Sequence, residues 1–209
     1  MNIYRRIVRK NNPNKFLEMI EVHEQFVKKH GIDRGAYLEF GVFQGTSALA
    51  FYNALKLYYS GQAFLKVFPM YLYDSFEGLP HSDAPEDQHP FWSEGVFDVG
   101  GDEGFINDII AKGLPRDQFE CVSGFYEDSL ATHTLPKGMK AAIVNMDCDY
   151  YSSTVTVLEY LKPYLQNFTL IYFDDLLSFA GNPRKGQLAA INEFNKKNSD
   201  IGICACPLF

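Results

Sequence analysis

The stretch 37–50, YLEFGVFQGTSALA, decides the fold of this 209-residue chain. A short apolar run ends at Gly41, a turn continues to Gly45, and a helix is predicted to begin at Thr46 or Ser47. At such a junction the first helical N–H groups point outward at the positive end of the helix dipole, and glycine lets backbone approach a ligand closely. The sequence therefore predicts a strand, a turn and a helix that together bind an anionic or nucleotide-like ligand.

The spacing within this stretch distinguishes between cofactors. Glu39, Gly41 and Gly45 form acidic-x-Gly-x-x-x-Gly, whereas dinucleotide-binding turns use Gly-x-Gly-x-x-Gly to approach a diphosphate. The spacing favours S-adenosylmethionine over NAD, although ordinary strand-to-helix turns also match it. The residues predicted to contact the cofactor here are Glu39, Phe40, Gly41, Gly45, Thr46 and Ser47.

Composition limits the class of protein and of partner. With 46% apolar and 22% charged residues, the chain is expected to form one domain over residues 1–209, with 1–35 as a helical lead-in. A net charge of −7 and a pI near 5.2 argue against nucleic acid as the main partner and favour a small molecule. We expect a cytoplasmic protein without a signal peptide or membrane span, because no apolar run is long enough for either; homo-oligomerisation stays open.

The order of apolar runs and breakers predicts alternating strands and helices. Helices are predicted at 16–31, 48–59, 103–111, 153–165 and 187–197, and strands at 37–40, 67–73, 119–123, 141–146 and 169–173, with a further strand in the final residues 203–209. Strands that alternate with helices through right-handed crossovers form a doubly wound sheet. The predicted fold is three-layer α/β, Rossmann-like, with a mostly parallel sheet.

The ends of the second and third strands carry further cofactor candidates. Asp74 follows the second strand, where a carboxylate can accept hydrogen bonds from both ribose hydroxyls, and Ser75 and Phe76 continue this segment. The alternative is that Asp74 only caps a turn. Gly124 and Phe125 follow the third strand, where an aromatic ring can pack on adenine; core packing is the alternative for Phe125.

Residues 81–104 form a long polar stretch between the second strand and the next helix. Such a loop is uncommon in a compact domain unless it has a function, which predicts a lid or substrate-recognition insert. Phe91, Trp92 and Phe97 are expected to form an aromatic cluster that anchors it.

Three carboxylates are predicted to meet at the ends of the fourth and fifth strands. Asp147 follows the fourth strand, and Asp174 and Asp175 follow the fifth. If these strands are neighbours, the side chains crowd together unless a cation lies among them, and oxygen ligands suit Mg²⁺ or another hard divalent cation. The alternative is a helix cap at Asp147 and a solvated loop at Asp174 and Asp175.

Five segments together resemble the macrocin O-methyltransferase family, which is Mg²⁺-dependent, uses S-adenosylmethionine and methylates hydroxyls of antibiotic sugars. They are LEFGVFQGTSA, YDSFEGLP, GFYEDSL, MDCDYYSST and FDD, within about 37–194. The resemblance implies a class I methyltransferase fold, with Asp147 as metal ligand and candidate base and Asp174 and Asp175 as the other ligands. The histidine base of the family lies after the second strand. Here His81 and His89 lie in that loop without aligning cleanly, and His89 is the second candidate base.

These observations predict a class I, S-adenosylmethionine-dependent O-methyltransferase with divalent-metal assistance. The expected acceptor is a hydroxyl of a small molecule, with a sugar as the expected moiety. Two other classes stay open at this point: an NAD-type Rossmann oxidoreductase, which would need a different glycine set, and a non-catalytic cofactor-binding or assembly module, in which the carboxylates would have no role.

Overall fold

A computed structural model describes residues 14–59 and 68–206 of the chain. Its strands are β1 Ala36–Phe40, β2 Met70–Asp74, β3 Phe119–Ser123, β4 Ala141–Met146 and β5 Leu170–Phe173. Its α-helices are α1 Asn14–His30, α2 Thr46–Tyr58, α3 Asp102–Ala111, α4 Tyr126–Thr132, α5 Tyr151–Leu161 and α6 Gly186–Lys197, with 3₁₀ turns at Arg116–Gln118 and Lys162–Tyr164. Strands therefore alternate with helices along the chain, as the sequence predicts.

The five strands form one parallel sheet in the order β3-β2-β1-β4-β5. The order reverses beside β1, which pairs with both β2 and β4: Tyr37 lies opposite Met70 on one side and Ile143 on the other. In open α/β sheets, ligands bind at such a reversal, outside the carboxyl ends of the strands. The predicted doubly wound α/β fold is confirmed, and so is the pairing of the fourth and fifth strands.

The sheet is covered on both faces, which explains the almost continuous apolar runs of its central strands. Every residue of β1 and β4 is buried. Alternate side chains contribute to two cores: Tyr37 packs on one face with Phe16 and Phe51, whereas Leu38 and Val144 pack on the other. A strand with helices on both faces cannot expose polar side chains. This is why apolar runs locate these strands so well.

The lead-in helix α1 packs against the first core through side chains at helical spacing. Phe16 makes edge-to-face contacts with Tyr37 and Phe51. His23 is fully buried, and its Nε2 lies 2.9 Å from the carbonyl oxygen of Arg34. The histidine therefore links helix α1 to the residues just before β1.

Two helices differ from the sequence-based prediction. Helix α4, Tyr126–Thr132, was not predicted, although Glu127 and Asp128 provide acidic residues in its first turn. The predicted helix 153–165 instead begins at Tyr151 and ends at Leu161, before a 3₁₀ turn that contains Pro163.

The predicted last strand is absent from its described part. Residues 201–206 form no strand, and 207–209 lie outside the described residues. The side-chain amide of Asn195 binds the backbone of Ile203 instead, accepting from its N–H at 2.7 Å and donating to its carbonyl at 2.8 Å. These backbone groups consequently need no neighbouring strand.

Two further expectations concern residues outside the described ranges. One is for residues 1–13, including the absence of a signal peptide, and the other is the start of the second strand at residue 67. Among the described helices, none combines the length and the apolar composition needed to cross a membrane.

Candidate active site

A cleft of about 280 Å³ opens at the carboxyl ends of β1, β2 and β4, beside the reversal in strand order. It joins the glycine turn after β1 to the segments that follow β2, β3 and β4. The predicted site residues that line it are Gly41, Thr46, Ser47, Asp74, Ser75, Gly124, Phe125 and Asp147. The tertiary structure thus brings together most residues that the sequence proposes for the cofactor.

Four predicted cofactor residues do not line the cleft. Phe40 and Phe76 are fully buried behind its wall, and Glu39 is fully buried beneath the glycine turn. Gly45 faces helix α3, where a β-carbon would lie 2.6 Å from Cδ1 of Ile109. These residues support the wall of the cleft in this structure, and their contact with a cofactor stays a prediction.

Glu39 links the sheet to helix α2 from a buried position. Its carboxylate accepts hydrogen bonds from the hydroxyl of Tyr37 at 2.8 Å, from the side-chain amide of Asn145 at 3.3 Å and from the hydroxyl of Ser47. Burial raises the pKa of Glu39 to about 7, although these hydrogen bonds favour the ionised form. The acidic residue of the motif therefore holds the first turn of α2 in place.

Replacing Glu39 by glutamine is expected to change how stability depends on pH. The folded-state pKa of about 7 lies above the usual 4.5, so the free energy of unfolding falls as pH rises between these values. Glu39 should contribute roughly 3 kcal/mol to this fall, so the fall should be smaller by that amount in Glu39→Gln, where the raised pKa of Asp147 still contributes. Urea unfolding at about pH 5 and about pH 7.5 measures it. The same slope in Glu39→Gln, wild type and the exposed control Glu21→Gln would contradict the assignment.

Asp74 binds the backbone of the glycine turn. Its Oδ2 accepts from the N–H groups of Val42 at 2.6 Å and Phe43 at 2.8 Å, and its Oδ1 accepts from the N–H of Phe76 at 2.8 Å. A carboxylate has about four acceptor positions, so roughly one is left for a ligand in the cleft. The turn-capping alternative is thus realised, and a contact to one ribose hydroxyl fits the site better than contacts to both.

The three predicted carboxylates do meet at the ends of β4 and β5. One oxygen each of Asp147, Asp174 and Asp175 lies within 4.8 Å of the others. Backbone hydrogen bonds set this position, because the N–H of Asp147 donates to Phe40 at 2.8 Å and that of Asp174 donates to Met146 at 3.0 Å. Asp175 is 5% exposed, so the solvated-loop alternative does not describe it.

The charges of this cluster repel one another, which a bound cation would relieve. Burial, followed by the charges of Asp174 and Asp175, raises the pKa of Asp147 to about 9. The ammonium of Lys15 lies 3.9 Å from Asp174. Three converging carboxylate oxygens in a partly buried position fit a hard divalent cation such as Mg²⁺, which would favour the ionised form of all three.

The structure brings one of the two candidate bases to the cleft. Asp147 lines it, whereas His89 does not. The imidazole of His89 packs against Trp92 at 4.1 Å and Phe179 at 5.1 Å between ring centroids. In this structure His89 therefore lies outside the cleft, and its role as a base stays a prediction.

The insert 81–104 is attached to the rest of the domain by Asp87, which sequence reasoning did not single out. Asp87 is 2% exposed and accepts hydrogen bonds from the hydroxyls of Ser82 and Ser152, both at 2.6 Å, and from the N–H of Ser152. Ser152 lies in the first turn of α5, where a carboxylate is stabilised by the helix dipole. This contact holds the insert over the ends of β4 and β5.

The expected aromatic cluster within the insert does not form. Phe91 is 81% exposed. Trp92 packs on Phe179 at 5.4 Å, whereas Phe97 pairs with Phe43 from the glycine turn. Phe91 and Trp92 instead share His89 as a neighbour, at 5.8 Å and 4.1 Å between ring centroids, and Phe97 lies apart from them.

The cleft also contains residues that the sequence analysis missed. They are Val42, Phe43, Gly78, Leu79, Pro80, Phe97, Tyr126, Glu127, Cys148, Asp149 and Ser153. Most lie within five residues of the end of a strand, which is the signal that could have indicated them.

The fold and the cleft together define a Rossmann-like α/β protein with class I methyltransferase architecture. Residues 14–201 match the model of the macrocin-O-methyltransferase (TylF) family, and the chain belongs to this family.

Comparison with individual proteins agrees with this assignment. A curated relative from Streptomyces olivaceus, 8-demethyl-8-(2,3-dimethoxy-alpha-L-rhamnosyl)-tetracenomycin-C 4'-O-methyltransferase, is 30% identical over 148 residues, or 68% of this chain and 52% of the relative. The chain thus spans about half the length of this relative.

Two solved structures have a similar fold at 22% identity. The O-methyltransferase NovP has a TM-score of 0.62 and matches 87% of this chain and 71% of its own. The calicheamicin methyltransferase CalS11 has a TM-score of 0.63 and matches 86% and 70%.

Proposed function

We propose that this protein is an S-adenosylmethionine-dependent O-methyltransferase that acts on a hydroxyl group of a small molecule, with a divalent cation assisting. The observation that carries the proposal is the position of the carboxylate cluster: Asp147 belongs both to the cluster and to the cleft of the glycine turn. A cofactor in the cleft and an acceptor oxygen at the cluster would therefore be neighbours. Membership of the macrocin-O-methyltransferase family supports this chemistry.

The cofactor half of the site follows from the residues that line the cleft. Gly41 and Ser47 at the glycine turn would hold the methionine carboxylate near the first N–H groups of α2. Asp74 would accept a hydrogen bond from one ribose hydroxyl, and Gly124 and Phe125 would lie beside the adenine. S-adenosylmethionine bound in this way supplies an electrophilic methyl group on a sulfonium.

The acceptor half is built around the carboxylates. Asp147, Asp174 and Asp175 would hold the cation, which lowers the pKa of a bound hydroxyl and orients its oxygen. Asp147 is the proposed proton acceptor, because it lies at the junction of cleft and cluster whereas His89 packs among aromatic rings. Fixed strand ends hold all three carboxylates, so the main task of the chain is to position the reactants.

A sugar hydroxyl is the proposed acceptor. The curated relative is named for 4'-O-methylation of a rhamnosyl tetracenomycin, and CalS11 is described as a calicheamicin methyltransferase. Transfer of labelled methyl groups from S-adenosylmethionine to a panel of sugar and phenol acceptors, with and without EDTA, tests the activity directly.

Cofactor preference provides an independent prediction. S-adenosylmethionine and its demethylated product S-adenosylhomocysteine are expected to bind with micromolar dissociation constants, roughly −8 kcal/mol, because the glycine turn and Asp74 suit a nucleoside with a carboxylate tail. NAD should bind far more weakly, since the turn lacks the glycine set for a diphosphate. Isothermal titration calorimetry measures both. Tighter binding of NAD would contradict the proposed function.

A further inference from the structure

Two phenylalanines lie at the rim of the cleft and have no role in the chemistry described above. Phe43 belongs to the glycine turn and Phe97 to the insert, and both line the cleft. They are 39% and 44% exposed, although both are large apolar residues. Their ring centroids are 5.7 Å apart at an interplanar angle of 73°, an edge-to-face pair. The pair thus joins the glycine turn to the insert on the solvent side of the cleft.

Both residues have a strained backbone. The φ angles of Phe43 and Phe97 are +49° and +71°, in the left-handed region that a bulky side chain disfavours. Six non-glycine residues in the described part of the chain have positive φ, and half of these six line the cleft, with Asp149 as the third. Strain of this kind concentrates at ligand-binding sites.

Neighbouring hydrogen bonds maintain the strain. The N–H of Phe43 donates to Asp74 at 2.8 Å. Next to Phe97, the carbonyl oxygen of Val96 accepts from the N–H of Leu79 at 2.8 Å. These bonds hold the backbone at both phenylalanines near the ends of β1 and β2. The carboxylate cluster lies at the ends of β4 and β5 instead.

This position decides which reactant the rings would cover. Phe43 is bonded through its own N–H to Asp74, which is the proposed ribose contact, and the segment after β2 holds Phe97. An apolar pair that is partly exposed gains stabilisation when a flat heteroaromatic ligand removes it from water. We propose, on the basis of the proposed function, that Phe43 and Phe97 close the cleft over the adenosyl cofactor and slow its release.

Glycine substitutions test this proposal, because glycine tolerates positive φ and lacks the ring. Phe43→Gly and Phe97→Gly should each raise the dissociation rate of S-adenosylhomocysteine about three- to tenfold, the loss expected for one aromatic contact. The melting temperature of the ligand-free protein should change by only about 2 °C, since relief of strain offsets the greater flexibility of the unfolded chain. Stopped-flow dissociation and thermal unfolding provide the two measurements.

Phe91→Gly is the matched control. Phe91 belongs to the same insert and is 81% exposed, but it does not line the cleft. S-adenosylhomocysteine should therefore dissociate from Phe91→Gly at the same rate as from the wild type. The Phe43→Gly/Phe97→Gly double variant should release the ligand more slowly than the product of the single effects predicts, because the rings contact each other.

Three results would overturn the proposal. Dissociation rates within about twofold of the wild type in both single variants would show that the rings do not retain the cofactor. A raised KM for the acceptor with unchanged S-adenosylhomocysteine release would assign the pair to the acceptor instead. A large fall in melting temperature with unchanged release would show a packing role only. If the wild-type protein binds no S-adenosylhomocysteine, the proposed function itself fails, and this proposal with it.

Discussion

Asp174→Asn is expected to lower the rate of methyl transfer by at least about a hundredfold while cofactor affinity stays within about twofold of the wild type. Asp174 belongs to the carboxylate cluster but does not line the cleft. Replacing it by the isosteric amide removes one charged oxygen ligand of a divalent cation and leaves the proposed cofactor contacts in place. Single-turnover kinetics with labelled S-adenosylmethionine measure the rate, and calorimetry with S-adenosylhomocysteine measures the affinity.

Metal binding separates this effect from a general loss of structure. Titration with Mn²⁺ should show weaker binding in Asp174→Asn, whereas the melting temperature of the metal-free protein should change little, because loss of the ion pair with Lys15 is offset by the lower negative charge beside Asp147 and Asp175. Asp200→Asn makes the same chemical change at an exposed position and should have no effect on rate or metal affinity. Full activity of the wild type in excess EDTA would refute the role of a cation.

The same assay distinguishes the two candidate bases. His89→Gln is expected to retain most of its rate, because the imidazole packs on Trp92 and Phe179 and does not line the cleft. The rate of the wild type should change little between about pH 6 and pH 8, since an Asp147 carboxylate beside a divalent cation does not titrate there. A rate step between about pH 6 and pH 8 that disappears in His89→Gln would assign the base to His89.

Gly41→Ala is expected to destabilise the protein by about 3–5 kcal/mol and to abolish measurable cofactor binding. A β-carbon at Gly41 would lie 1.7 Å from the carbonyl oxygen of Asp147, and the φ angle there is +86°. The glycine turn and the end of β4 cannot both keep their positions with this atom present. The hydrogen bond from the N–H of Gly41 to Tyr73 would be lost as the turn moves.

Gly95→Ala is the matched control for Gly41→Ala. Its φ angle is +78°, but an added β-carbon would meet nothing within 4 Å. Only the backbone strain remains, which should cost about 1–2 kcal/mol. Urea unfolding of both variants measures the difference. Equal losses of stability would show that the close approach of Gly41 to Asp147 has no energetic importance.

The elements that the sequence predicted best are those whose signal is local. Strands β3 and β4 have the predicted limits, 119–123 and 141–146. β4 is an almost wholly apolar run, and β3 is a short segment between the breakers Pro115 and Gly124. Helix α4 was missed because its seven residues carry only a short apolar pattern. The described part of the predicted last strand, 203–206, forms no strand, and the backbone of Ile203 is bound by Asn195 instead.

The same distinction between local and long-range signals applies to the candidate site. The positions of Asp74, Asp147, Asp174 and Asp175 followed from the sequence, because each comes directly after a strand and parallel strands end at the same edge. The partners of these residues did not follow. The three N–H groups on Asp74 come from a turn about 30 residues earlier and from its own loop, and the ammonium beside Asp174 comes from α1.

Local patterns were thus enough to predict the order of the elements, the family and the strand ends at which the chemistry is placed, since periodicity and breakers act over a few residues. The packing of the sheet and its loops is what places Glu39 under the glycine turn, attaches Asp87 to α5 and brings Phe43 against Phe97. Asp87 and Ser152 are 65 residues apart along the chain, and Glu39 and Asn145 are 106 residues apart. Contacts of such separation depend on how the sheet and its loops pack, which no local pattern in the chain encodes.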